Sequence, residues 1–124
     1  MSIIKGTNIL LGISGGIAAY KSPFIIRKLN ELGANVQVVL SKNAHEFVTK
    51  VTLQALSGNP VRQSLWDSQA EAAMSHIELA KWADLVLVAP ASANCISKLA
   101  CGNADDLLST VILATEAKIL IAPS

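Results

Sequence analysis

A chain of 124 residues supplies one domain, and with 52% of them hydrophobic it can bury about two-thirds of its unfolded surface around a single core. Charged residues make up 15% and the net charge is +1, so the basic stripe that nucleic acid or an anionic membrane requires is excluded; small molecules and other protein surfaces remain as partners. Only 4% of the residues are aromatic while the mean hydropathy is positive, which points to aliphatic, alanine-rich packing and to buried subunit interfaces.

The aliphatic stretch Asn8 to Ile13, between Gly6 and the pair Gly15-Gly16, reads as a first strand covered on both faces. Lys5 ahead of it imitates a signal peptide weakly, but no cleavage site closes the segment. Apolar residues from Ile17 to Leu32 recur at helical spacing, with Pro23 tolerable only near a first turn and Gly33 as a left-handed cap. Asn35 to Leu40 alternates Val36, Val38 and Leu40 as a second strand. Two short helical pieces are expected between Ser41 and Leu56, then a turn at Gly58-Asn59-Pro60 and a short strand from Val61 to Trp66. Ala70 to Met74 and Ile77 to Trp82 read as helices on either side of Ser75-His76. Leu85 to Pro90 is the most apolar strand. Its run to Ala91, bounded by Asp84 and Ser92, is far short of the ~20 residues that span a bilayer. Helices over Ala93 to Ala100 and Asp105 to Leu113 and a strand over Lys118 to Ala122 complete the chain. Such alternation implies an α/β fold with a three-layer, doubly wound parallel sheet of the Rossmann-like (flavodoxin-like) kind, as one domain over residues 1–124.

In an open parallel sheet, ligands sit beyond the carboxyl ends of the strands, which singles out the loops Ser14 to Gly16, Ser41 to Asn43 and Ala89 to Asn94. The first, Ser14-Gly15-Gly16-Ile17, serves equally as a phosphate cradle or as a tight turn. A dinucleotide site wants GxGxxG and an acid after the second strand; here GxSGG and Ser41-Lys42 stand instead, and no P-loop lysine follows. Ser41 suits a single phosphate or the cap of the next helix. Ser92 and Asn94 suit a flat polar ring or an ordinary helix start. Cys95 and Cys101 lack metal-ligand spacing and read as reduced thiols of a cytoplasmic protein; adjacent Asp105 and Asp106 point apart and suit capping and surface roles, so no metal site is expected.

Four segments in order, Gly12-Ile13-Ser14-Gly15-Gly16-Ile17-Ala18-Ala19-Tyr20-Lys21, Ser75-His76-Ile77-Glu78-Leu79, Pro90-Ala91-Ser92-Ala93-Asn94 and Gly102-Asn103-Ala104-Asp105-Asp106-Leu107-Leu108-Ser109, resemble the homo-oligomeric flavin-containing cysteine decarboxylases. The resemblance implies an FMN-dependent lyase that converts 4'-phosphopantothenoylcysteine to 4'-phosphopantetheine in coenzyme A biosynthesis. In that family the flavin oxidises the cysteine moiety to a thioaldehyde-like species, carbon dioxide leaves, and the enethiol is reduced by the same flavin. By position, Ser14, Gly15, Gly16, Ile17 and Ser41 would bind the FMN phosphate and Ala91, Ser92, Ala93 and Asn94 the ring region, with His76 as the active-site histidine. From spacing alone His76 reads as structural; the resemblance makes it catalytic, and a neutral imidazole suits proton movement. His45 is expected to be a solvated helix residue. The resemblance further implies trimers, or dodecamers built from trimers, with FMN near a subunit interface.

Two departures from the family stand out. Cys95 replaces the threonine that ends the PASANT motif, removing one hydroxyl. The family's P-x-M-N-x-x-M-W motif breaks off here at Pro123-Ser124, so the chain is expected to be truncated at its C-terminal end and weakly active or inactive alone. A peptidyl-cysteine decarboxylase and a noncatalytic FMN-binding regulatory or scaffold subunit stay open as alternatives. A flavin prenyltransferase ranks below them, because its GxSGxSG loop differs from Gly15-Gly16-Ile17-Ala18.

Overall fold

The computed structural model describes residues 3–64 and 67–123, apart from the side chain of Glu71. The strands β1 (Asn8–Ile13), β2 (Asn35–Leu40), β3 (Leu85–Ala91) and β4 (Lys118–Pro123) form one all-parallel sheet in the order β2-β1-β3-β4. The helices are α1 (Ser22–Glu31), α2 (Lys50–Ser57), α3 (Ser68–Ala73), α4 (His76–Trp82), α5 (Ala93–Ala100) and α6 (Leu107–Ala114).

Successive strand residues point to opposite faces, and β1 supplies both cores in this way. Ile9, Leu11 and Ile13 join Ile26 of α1 and Leu53 of α2 on one face. Leu10 joins Leu79 of α4 and Leu107, Leu108 and Val111 of α6 on the other. Helices on both faces of a parallel sheet make the three-layer, doubly wound α/β architecture expected from the alternation of elements. Gly12 lies between the two layers for a steric reason. A Cβ there would stand 2.6 Å from Leu108 Cδ1, so α6 rests on bare backbone.

Strand limits match the sequence reading closely, while helix starts move. The expected helix from Ile17 begins instead as a 3-10 turn over Ile17–Lys21, and the α-helix starts at Ser22. Pro23 lacks an N–H and its ring would strike the carbonyl four residues back, so it must lie in a first turn. Three acceptor side chains fix other starts. Asp67 takes the N–H groups of Gln69 and Ala70, Ser75 that of Glu78, and Asp106 that of Ser109. His76 is therefore the first residue of α4 rather than part of a linker, and α6 opens at Leu107 rather than at Asp105. The strand expected over Val61 to Trp66 reduces to one bridge between Arg62 and Val39, with Leu65 and Trp66 outside the described residues. β4 is an edge strand, and all six of its residues are exposed.

Candidate functional site

From β1 the chain passes to β2 on one side of it and later to β3 on the other, so a crevice opens beyond the carboxyl ends of β1 and β3. It holds a cleft of ≈ 230 Å³ lined by Ser14 and Gly15 after β1, by Ser41, Lys42 and Asn43 after β2, and by Ser92, Asn94, Cys95 and Lys98 after β3. Asp106, Leu108 and Ser109 close it from α6.

Each wall has a local cause. Gly15 is bare because a Cβ there would lie 2.8 Å from Cβ of Asn43; the first two loops touch through it. The backbone N–H groups of Gly15, Gly16 and Ile17 donate to no acceptor among the described residues, as expected ahead of a helical turn. The free Gly15 N–H and the Ser41 hydroxyl, which also has no hydrogen bond among the described residues, share the cleft, and with the N–H groups of Gly16 and Ile17 next along the loop they are a donor set suited to a phosphate. Lys42 adds an ammonium with no ion-pair partner among the described residues, while a ring nitrogen of His45 donates to the Lys42 carbonyl and holds the loop.

On the opposite wall, Ser92 accepts the Cys95 N–H at 3.1 Å and so starts α5. Lys98 lies 3.2 Å from Asp105 and 3.3 Å from Asp106. Its hydrogen bond to Asp105 holds its ammonium above the ordinary lysine range, against a smaller opposing effect of burial. Burial pushes the Asp106 carboxyl up, but the Ser109 hydroxyl and N–H together with Lys98 outweigh it, and the net position is below the usual carboxylate value. Burial, and then the Asp106 charge, pushes the Cys95 thiol up, so at neutral pH it is a protonated wall residue rather than a nucleophile.

Of the residues singled out by sequence, Ser14, Gly15, Ser41, Ser92 and Asn94 come together in this cleft. Gly16 and Ile17 continue the first loop past it, with Ile17 78% exposed. Ala91 is buried at the end of β3, and Ala93 is exposed on the first turn of α5. Ser14 departs from its expected part. Its hydroxyl and its N–H both donate to the Pro90 carbonyl, at 2.7 and 3.1 Å, so neither of its donors is available to a phosphate. His76 is half-buried at the start of α4 and does not line the cleft. Lys42, Lys98 and Ser109 were not singled out. A hydroxyl, a cation and an amide directly after a strand would have drawn attention to Lys42, whereas Lys98 and Ser109 reach the cleft only through helix packing.

Residues 2–124 match the Flavoprotein family. The chain is 56% identical over 124 residues to the coenzyme A biosynthesis bifunctional protein CoaBC of Vibrio vulnificus, covering all of this chain and 31% of that protein. It is 53% identical over 121 residues to CoaBC of Escherichia coli, covering 98% of this chain and 30% of that one. It therefore spans about a third of the length of these curated relatives. Among solved structures it is similar to a PPC decarboxylase variant complexed with pantothenoylaminoethenethiol, at TM-score 0.81 and 30% identity over 97% of this chain and 68% of that one. The FMN-dependent cysteine decarboxylase SpaF matches at TM-score 0.87 and 28% identity, over 97% of this chain and 69% of that one.

Proposed function

The chain belongs to the Flavoprotein family, and from that premise we propose that it is the FMN-binding part of a longer lyase that decarboxylates 4'-phosphopantothenoylcysteine to 4'-phosphopantetheine in coenzyme A biosynthesis. The observation that carries this reading is the meeting of three loops in one crevice, where free backbone donors and Ser41 face a wall of carboxamide and hydroxyl groups. Bound FMN would supply the electron acceptor for oxidising the cysteine moiety and the donor that returns those electrons after carbon dioxide leaves.

The protein's residues divide the remaining work. The N–H groups of Gly15, Gly16 and Ile17, with Ser41 and Lys42, hold the phosphate, and Ser14 holds the loop that presents them. Ser92, Ala93 and Asn94 border the ring, with Ala91 buried behind them. His76 orients or moves a proton at the cysteine end of the substrate. The volume of ≈ 230 Å³ falls below the roughly 300–1,000 Å³ of ligand pockets, which supports a site completed by a second surface. A homo-oligomer provides one, as a trimer or a dodecamer built from trimers, and a second copy brings a His76 to the cleft that its own chain's histidine does not line. Ile17, Tyr20, Phe24 and Val51, each at least 54% exposed, are apolar surface for such contacts. No described helix is long and apolar enough to cross a membrane; the likeness to coenzyme A biosynthesis proteins is what supports a cytoplasmic setting for the proposed reaction.

Identity of 53–59% to CoaBC proteins favours the coenzyme A substrate over the peptide cysteines of the alternative reading. The test is an absorption spectrum together with carbon dioxide release from 4'-phosphopantothenoylcysteine, both measured on the longer enzyme of which this chain is a part. Flavin bands and release that is lost in His76→Asn are expected. Flavin bands with release only from a peptide cysteine would move the protein to the alternative, and bound flavin without any turnover would make it a noncatalytic subunit.

A further inference from the structure

We propose that Ser14 is a positioning residue that couples the phosphate loop to the ring wall, and that it is no ligand of the phosphate. A serine hydroxyl has one proton to give and two lone pairs to offer. In this structure the proton goes to the Pro90 carbonyl at 2.7 Å, and one lone pair takes the Ser92 N–H at 2.7 Å. What remains is an acceptor, which a phosphate, itself rich in acceptor oxygens, cannot use. The side chain is 2% exposed, so both bonds are made away from water, where an unmade bond is expensive.

The bonded partner matters more than the bond. Ser92 is the N-cap of α5, a helix with no fully buried side chain whose first turns pack only the partly buried Cys95 and Ile96 against the second core. Asn94, Cys95, Lys98 and Leu99 of α5 nevertheless form one wall of the cleft. Ser14 thus ties the N-cap of that wall, through Ser92, to the end of β1, beyond the last paired residues of β1 and β3. Gly15, directly after it, presents its N–H to the other end of the same ligand. One residue fixes the spacing between the two ends.

This rests on the FMN reading of the cleft, and two measurements on Ser14→Ala separate it from that reading. In the first, wild type and variant are titrated with FMN and with riboflavin, which lacks the phosphate. A positioning role lowers both affinities by the same factor, about tenfold for a buried hydrogen bond. A loss confined to FMN, with riboflavin unchanged, would overturn the proposal, because a phosphate ligand behaves that way. In the second, amide hydrogen exchange is followed without flavin. Protection of the Ser92 and Cys95 amides is expected to fall about tenfold while that of Leu11 in β1 holds. Unchanged protection at Ser92 and Cys95 would equally overturn it. A wild type that binds neither flavin refutes the FMN reading, and the exchange result then decides the role of Ser14 alone. Should alanine prevent folding, Ser14→Cys keeps the size, weakens both bonds, and gives the same pattern with a smaller loss.

Discussion

The helices that follow the two central strands are held in opposite ways. α1, after β1, inserts Ile26 at 0% exposure into the first core and packs Ile25 and Leu29 beside it. No side chain caps it. α5, after β3, buries no residue fully; it packs the partly buried Cys95 and Ile96 against the second core and makes polar contacts at both ends, Ser14 through Ser92 at its start and Lys98 with Asp105 and Asp106 in its last turn. Burial of apolar surface is indifferent to pH and screened little by salt, whereas ion pairs and charged caps respond to both.

Perturbing each helix in turn sharpens that contrast. The largest effect is expected for Ile26→Ala, which should cost about 2–5 kcal/mol in urea unfolding by leaving a cavity under α1. A cost below that of the polar variants would break the comparison. Asp106→Ala comes next, at about 0.5–2 kcal/mol, since it removes the acceptor of the Ser109 N–H at 2.8 Å and of the Ser109 hydroxyl at 2.6 Å as well as a partner of Lys98. The same carboxyl gives a pH signature. Its folded value is depressed, so the stability it contributes is present above the unfolded value of about 3.9 and is lost as pH falls through the lower folded value. Melting temperatures of wild type and Asp106→Asn should therefore converge in strong acid, whereas the deficit of Ile26→Ala persists. The smallest effect belongs to Lys98→Met, at about 0–1 kcal/mol, and added salt should shrink it. A salt-independent loss would mean that the Lys98 stem, rather than its charge, supports α5.

Much of this was legible in the sequence wherever a single physical cause acts locally. An aliphatic run between glycines marked the limits of β1, and the alternation of Val36, Val38 and Leu40 those of β2, to the residue; Gly33 and Gly58 end α1 and α2 in the left-handed conformation. Asp106 was expected to cap, and does. Helix starts were less legible, because a proline and three acceptor side chains compete with apolar periodicity there. Of the site, the three loops were found from topology and the small residues in them. Ser14, Gly12 and Lys98 acquire their parts only from neighbours 76, 96 and 8 residues away along the chain, respectively Pro90, Leu108 and Asp106.

The sequence by itself determined the parallel α/β framework and placed the glycine turn at its carboxyl edge, since strand period, turn chemistry and helix caps are properties of a few adjacent residues. Tertiary structure decided which donors are free. A hydroxyl has one proton, and only the approach of β3 to β1 shows that the proton of Ser14 goes to Pro90 while Ser41 and the N–H groups of Gly15 to Ile17 keep theirs for a ligand.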